Sequence, residues 1–245
     1  MSTVPTPSRP NSVDTPTSSP TPQGRRPGWI ELGVGFAVFV ALTLGLTFLL
    51  KPAISPEAFS IVLMGLSFIA GTGGFAAAVA VRLRSASAFG LRPTAGRWLL
   101  LGVLGGLIAF ALKFPATWVY VAVTGDSGNA QSDWSQTAAT GLVPLLLGLV
   151  LLGVLTPIGE ELFFRGVVTT VLLRYGAIVG VVGSALLFTI LHGVPQTMLS
   201  AFIVGLITGE LRRRSGSVWP GIIAHIIFNL FSTGLAFLVA PALGG

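Results

Sequence analysis

The chain has 245 residues, of which 52% are apolar and only 9% charged, and its mean hydropathy is +0.86. A soluble domain carries roughly 25% charged residues, so this composition cannot coat a globule with a hydrated surface, and a soluble single-domain protein is excluded. The chain has no cysteine, which removes disulfides, thiolate metal sites, a cysteine nucleophile and thiol-linked lipid anchors. The formal charge of +6, from 14 Lys and Arg against 8 Asp and Glu, reads in a membrane chain as basic cytoplasmic loops and not as nucleic-acid binding.

Residues 1–28 hold seven of the 16 prolines together with many Ser and Thr, which predicts a disordered tail. Trp29 to Leu50 follows as an uncleaved first span, too long for a signal-peptide core and lacking a small-residue cleavage site at its end. A second span is expected from about Glu57 to Val81, where Gly71, Gly73 and Gly74 let a neighbouring helix approach closely. The third, about Trp98 to Val123, carries Lys113, which can snorkel or line a cavity, and Pro115, which is expected to kink the helix.

The polar loop Thr124 to Thr137 holds Asp126 and Asp133 and no basic residue, so it is placed outside. From Ala138 the sequence stays apolar to Leu173. As one helix that run would be roughly 50 Å long, beyond the bilayer core, so it must break, tilt or protrude, and the adjustment is expected at Thr156-Pro157, with Thr156 capping a new helical segment. Further spans are read at Ala177 to His192, Gln196 to Leu211 and Val218 to Val239. The fold class is thus an all-α polytopic transmembrane bundle of about seven spans, six to eight, with a cytoplasmic N-terminus. Its organisation is a tail (1–28), N-terminal membrane helices (29–152) and a C-terminal membrane core (153–240). In this topology 12 arginines fall on or near the cytoplasmic side and only Lys51 falls outside, with Lys113 left within a span. Ser85 to Arg97 is read as a short amphipathic piece along the inner interface.

Ionisable side chains inside a membrane cost roughly 2.5 to 3.5 kcal/mol each even on a lenient scale, so each is a functional candidate. Both histidines of the chain, His192 and His225, and the adjacent acids Glu160 and Glu161 lie within apolar runs of the last 90 residues. Glu161 and Arg165 stand at i and i+4, the favourable order for an ion pair, which leaves Glu160 available as a base or ligand. The bland alternative is a solvated acid pair in the headgroup region. Phe188 with His192, and His225 with Asn229, share helix faces one turn apart. Four polar groups on three helices incur a heavy burial cost unless they meet in a hydrated pocket.

Water is the expected nucleophile there, although Ser184, Thr189 and Ser232 are present. A glutamate and a histidine can deprotonate it while a second histidine and an asparagine donate to the oxyanion. Glu160, His192 and His225 are equally the inventory of a two-histidine, one-carboxylate zinc site, and the residues leave that choice open.

Three runs now stand together: Glu160-Glu161-Leu-Phe-Phe-Arg165, Phe188-Thr-Ile-Leu-His192 and His225-Ile-Ile-Phe-Asn229. In this order they resemble the three motifs of the CAAX prenyl protease 2-like group, also called the CPBP or abortive-infection membrane protease family. The resemblance covers about residues 153 to 233. It implies a membrane-embedded endopeptidase whose site opens toward the cytoplasmic leaflet, acting on a peptide or protein substrate that enters from the membrane or that leaflet. It also implies roles: Glu160 as the water-activating carboxylate assisted by His192, His225 and Asn229 as the oxyanion or ligand pair, and Glu161, Arg165 and Phe188 as structural partners. The family is described both as metalloprotease and as acting by a metal-independent glutamate mechanism, so zinc is an open expectation. Its bacterial members include bacteriocin self-immunity proteins, which makes a non-catalytic immunity or scaffold protein the alternative. A proton-coupled transporter is disfavoured by the lack of an internal repeat.

Overall fold

The computed structural model describes residues 26–128, 141–193 and 195–243, with side chains described as far as residue 235. Residues 1–25 of the expected tail, the greater part of the 124–137 loop and the last two residues lie outside that range. The described residues form seven helices and no strand. They are α1 (Trp29–Leu50), α2 (Pro56–Val81), α3 (Gly96–Thr124), α4 (Leu142–Tyr175), α5 (Val179–Leu191), α6 (Pro195–Ser215) and α7 (Trp219–Leu243). Four of them, α1 to α4, are long and apolar enough to cross a bilayer. Their outer faces leave large apolar side chains such as Phe48, Trp118 and Val123 more than 70% exposed, a surface suited to lipid and not to water. The protein is an all-α integral membrane bundle.

Local chemistry sets the helix ends. Ser55 accepts from the amide of Ala58 and Pro56 occupies the first position of α2, where a missing N–H costs nothing. Gly125 ends α3 at φ 72°, a left-handed conformation that a side chain would strain. At the start of α1 the fully buried Glu31 accepts from the amide of Gly28 and from two nitrogens of Arg82, at 2.6 and 2.8 Å, which joins the first turn of α1 to the end of α2. α3 continues through Pro115 without interruption.

The adjustment expected at Thr156-Pro157 takes the form of a change of helix type and not of a break. α4 runs 34 residues as one helix. Two stretches of wide π turns, Leu151–Leu155 and Leu162–Val168, bracket the short α-helical stretch Thr156–Glu161. The wide turn just before Pro157 absorbs the ring and the missing donor that would otherwise break the ladder. Thr156 does not cap a new helix; its hydroxyl donates 2.8 Å to the carbonyl of Met64 on α2.

Helix packing follows the small residues. A Cβ on Gly71 of α2 would fall inside contact distance of the Gly159 carbonyl, and one on Gly159 would lie 2.5 Å from Cα of Phe68, so α2 and α4 touch backbone to backbone directly before the Glu160-Glu161 pair. Gly205 and Gly209 of α6 meet Ala185 and Val181 of α5, an interface within the bundle. Phe163 and Phe164 fill the centre, with Phe163 stacked on Phe39 at 4.7 Å between ring centroids.

The cationic side chains gather at one end. Arg174 donates to the carbonyl of Pro27, Arg82 pairs with Glu31, Arg92 donates to the carbonyl of Gly216, and Arg212 donates to Thr170. Arg26, Arg84, Arg97, Arg213 and Arg214 sit at or beside the helix ends meeting there, whereas Lys51 lies at the opposite end of α1. The expected interfacial piece Ser85 to Arg97 forms a 3-10 turn, Ala86–Phe89, at this arginine-rich end, and its Phe89 is fully buried in the core.

Candidate active site

The stretch Thr156–Glu161 presents its two carboxylates differently. Glu161 points into the bundle and is fully buried; its Oε2 lies 3.2 Å from Nε of Arg165, also fully buried. The i, i+4 ion pair expected from the sequence therefore forms, and the alternative of a solvated headgroup pair fails. The guanidinium also donates 3.3 Å to the carbonyl of Gly205 and lies 4.8 Å from the ring centroid of Phe188.

Glu161 has a second partner that i, i+4 spacing does not reveal. Its Oε1 lies 3.0 Å from Nδ1 of His225 on α7. An ionised carboxylate only accepts, so Nδ1 carries the hydrogen and Nε2 is turned toward Glu160, whose Oε2 is 3.7 Å away. His225 stands between two carboxylates, with the Phe188 ring edge-on at 5.7 Å.

One turn further along α7, Asn229 donates 2.9 Å to the carbonyl of Leu152. Leu152 belongs to the first wide turn of α4, where the lengthened hydrogen-bond register leaves a carbonyl for an outside donor. The second wide turn is used likewise: the carbonyl of Arg165 accepts from Arg212 at 3.1 Å. An asparagine amide has two hydrogens, so one remains to Asn229.

His192 follows the last residue of α5. Its Nδ1 donates to the carbonyl of Phe188 at 3.0 Å, because a carbonyl only accepts, and Nε2 is left as the acceptor. The Phe188 ring packs against the imidazole at 4.4 Å and so touches both histidines and Arg165.

Glu160, Phe188, His192, His225 and Asn229 line one cavity of about 290 Å³, at the small end of ligand-site volumes. The sequence-predicted candidates are thus brought together, with Glu161 and Arg165 behind the wall. Lys113 also lines the cavity, as one of its two expected placements had it. Among the described residues its ammonium makes no hydrogen bond or ion pair. Thr156, Gln196, Ser200 and Thr233 are lining residues that no motif singled out. Of the hydroxyls considered as nucleophiles, Ser184 and Thr189 donate to carbonyls of their own helix, whereas Ser232 lines the cavity with its Oγ buried and without a hydrogen-bond partner among the described residues.

Among the described residues no three His, Asp or Glu side chains converge closely enough to hold a metal ion, so Glu160, His192 and His225 do not fit the zinc set. Each histidine has Nδ1 committed to a protein acceptor, and His225 is tied back toward Glu161. Lys113 and Thr117 come late in α3, Phe188 and His192 at the end of α5 and Gln196 at the start of α6, so the cavity extends toward the end away from the arginines.

Residues 142–231 match the family model described as type II CAAX prenyl endopeptidase Rce1-like. This segment is an Rce1-like domain. No curated protein and no solved structure matches the chain. The Rce1-like domain starts with α4 and ends within α7, so it contains both carboxylates, Arg165, both histidines and Asn229. It lacks Lys113 and Thr117, which α3 contributes to the cavity from outside it.

Proposed function

We propose that the chain is a seven-span endopeptidase of a bacterial cell membrane that hydrolyses peptide bonds with a water activated by Glu160 and His192. The observation that supports this reading is the convergence of Glu160, His192, His225 and Asn229 on one cavity inside an Rce1-like domain.

The water stands against Glu160, with Nε2 of His192 accepting one of its hydrogens. Its oxygen adds to the carbonyl carbon of the scissile bond as its other proton passes to Glu160. The carbonyl electrons move onto oxygen, and the remaining amide hydrogen of Asn229 donates to that oxyanion. His225, as an imidazolium, donates Nδ1–H to Glu161 and Nε2–H to the same oxygen. Collapse re-forms the carbonyl, breaks the C–N bond and delivers the proton from Glu160 to the leaving amine. Phe188 and the Glu161–Arg165 pair hold both imidazoles in place without touching the reacting atoms. Every step uses side chains of this protein, and none needs a metal.

The test compares membrane-protein and secreted-peptide termini in cells carrying the wild-type protein and Glu160→Gln. The variant keeps the side-chain volume and removes the base, and it is expected to lose cleavage by about 10²- to 10⁴-fold. Undiminished cleavage in Glu160→Gln would rule out this assignment. A wild-type protein that cleaves nothing while partner binding follows its stability would favour the scaffold alternative.

A further inference from the structure

We infer that the cavity is entered from the outer face of the membrane, so that the site takes peptide segments presented outside the cytoplasm. This deepens the peptidase reading and rests on it for the word substrate, but the sidedness stands on separate observations.

The first is charge. The arginines at one end of the bundle lie in short connections and at helix ends, the setting in which an excess of Lys and Arg marks the cytoplasmic side. The Asp126 end has no such cluster among the described residues.

The second is where the void lies. Between the Glu160-Glu161 pair and the arginine-rich end, Phe89, Phe163, Phe164 and Arg165 are each no more than 2% exposed and close the bundle. From Glu160 the cavity runs the other way, past Lys113 and Thr117 to Gly128 and Gln196.

The third is the chemistry of that end. Asp126 Oδ2 accepts from the Tyr120 hydroxyl at 3.0 Å and from Gln196 Nε2 at 2.7 Å, which links the loop after α3 to the start of α6 with groups that water also solvates. With the ammonium of Lys113 and the side chains of Thr117 and Gln196 in its wall, the path from Glu160 to the outer end carries polar groups that a hydrated peptide can meet on entry.

The chain has no cysteine, so single cysteines report without background. Thr117→Cys and Ser200→Cys place a thiol in the cavity wall, and Ser87→Cys, at an exposed position beside the arginines, serves as the reference. Each is treated with a membrane-impermeant maleimide in intact cells and in sealed inside-out vesicles. The expected result is labelling of the two cavity thiols in cells with loss of labelling in vesicles, and the reverse for Ser87→Cys. Cavity thiols labelled only in vesicles, or from neither side, overturn the inference. Repeating the labelling with Glu160→Gln present separates it from the enzymatic reading, because the pattern is expected to persist when cleavage is lost.

Discussion

His225 Nδ1 lies 3.0 Å from Oε1 of Glu161, a residue 64 positions earlier in the chain, and both side chains are almost wholly withdrawn from solvent. Glu161 thereby carries two attachments, one to Arg165 on its own helix and one to the imidazole on α7. Of the two adjacent carboxylates this is the structural one, and Glu160 is the one that faces the cavity.

Glu161→Gln is therefore expected to destabilise far more than Glu160→Gln. It leaves Arg165 buried without its counter-charge, a loss of about 3–5 kcal/mol by analogy with broken buried ion pairs. Thermal denaturation in detergent checks this, with Glu160→Gln expected to melt close to the wild type.

Asn229→Ala removes both the oxyanion donor of the proposed mechanism and the hydrogen bond to Leu152. The expected effect is a fall in kcat of about 10²- to 10³-fold with little change in KM, alongside a stability loss of about 1 kcal/mol. Steady-state kinetics on a peptide found by terminus profiling separates the two. Equal changes in KM and stability with kcat intact would assign Asn229 to packing alone.

Because His192, His225 and Glu160 do not assemble a metal-binding set, proteolysis is expected to survive dialysis against a strong chelator. Elemental analysis of the purified protein is expected to find zinc well below one equivalent. Loss of activity on chelation, restored by added zinc, would contradict the metal-free scheme.

Asp126 lies beyond the membrane-spanning part of α3. Hydrogen bonds from the Gly128 amide, then from Gln196 and Tyr120, hold its carboxyl below the ordinary aspartate range. A depressed folded-state pKa means that its contribution is present above the unfolded value and is lost as the pH falls through the folded one. The tie between α3 and α6 is thus expected to hold from neutral pH to about 4 and to loosen only below it. Spin labels on cysteines replacing Val123 and Leu199 read this as a distance distribution that broadens at low pH. In Asp126→Ala the broadening is expected at every pH.

Sequence and structure agree where the physics is local. Hydropathy runs place α1, α2 and α3 within a few residues of their ends, since a membrane span is set by apolar length. The Glu161–Arg165 pair follows from helical spacing alone. The tertiary attachments do not: nothing in i, i+4 spacing shows that His225 belongs to Glu161 or that Asn229 reaches the carbonyl of Leu152. The wide turns of α4 escaped as well, because Pro157 reads as a break unless neighbours take up the carbonyls it disturbs. Lys113 was legible as a charge on α3 that either snorkels or lines a cavity, but not as a partner of Glu160 and the histidines. Its cavity is assembled from helices whose order in space the sequence does not state.

The bond between Glu31 and Arg82 has a consequence for biogenesis. During synthesis the first helix reaches the insertion machinery with a carboxylate whose counter-ion has not yet been translated. It meets that ion only when residue 82 emerges, after the second helix is complete. The first two helices are therefore expected to partition into lipid together, as a hairpin already neutralised, before the Rce1-like segment has left the ribosome.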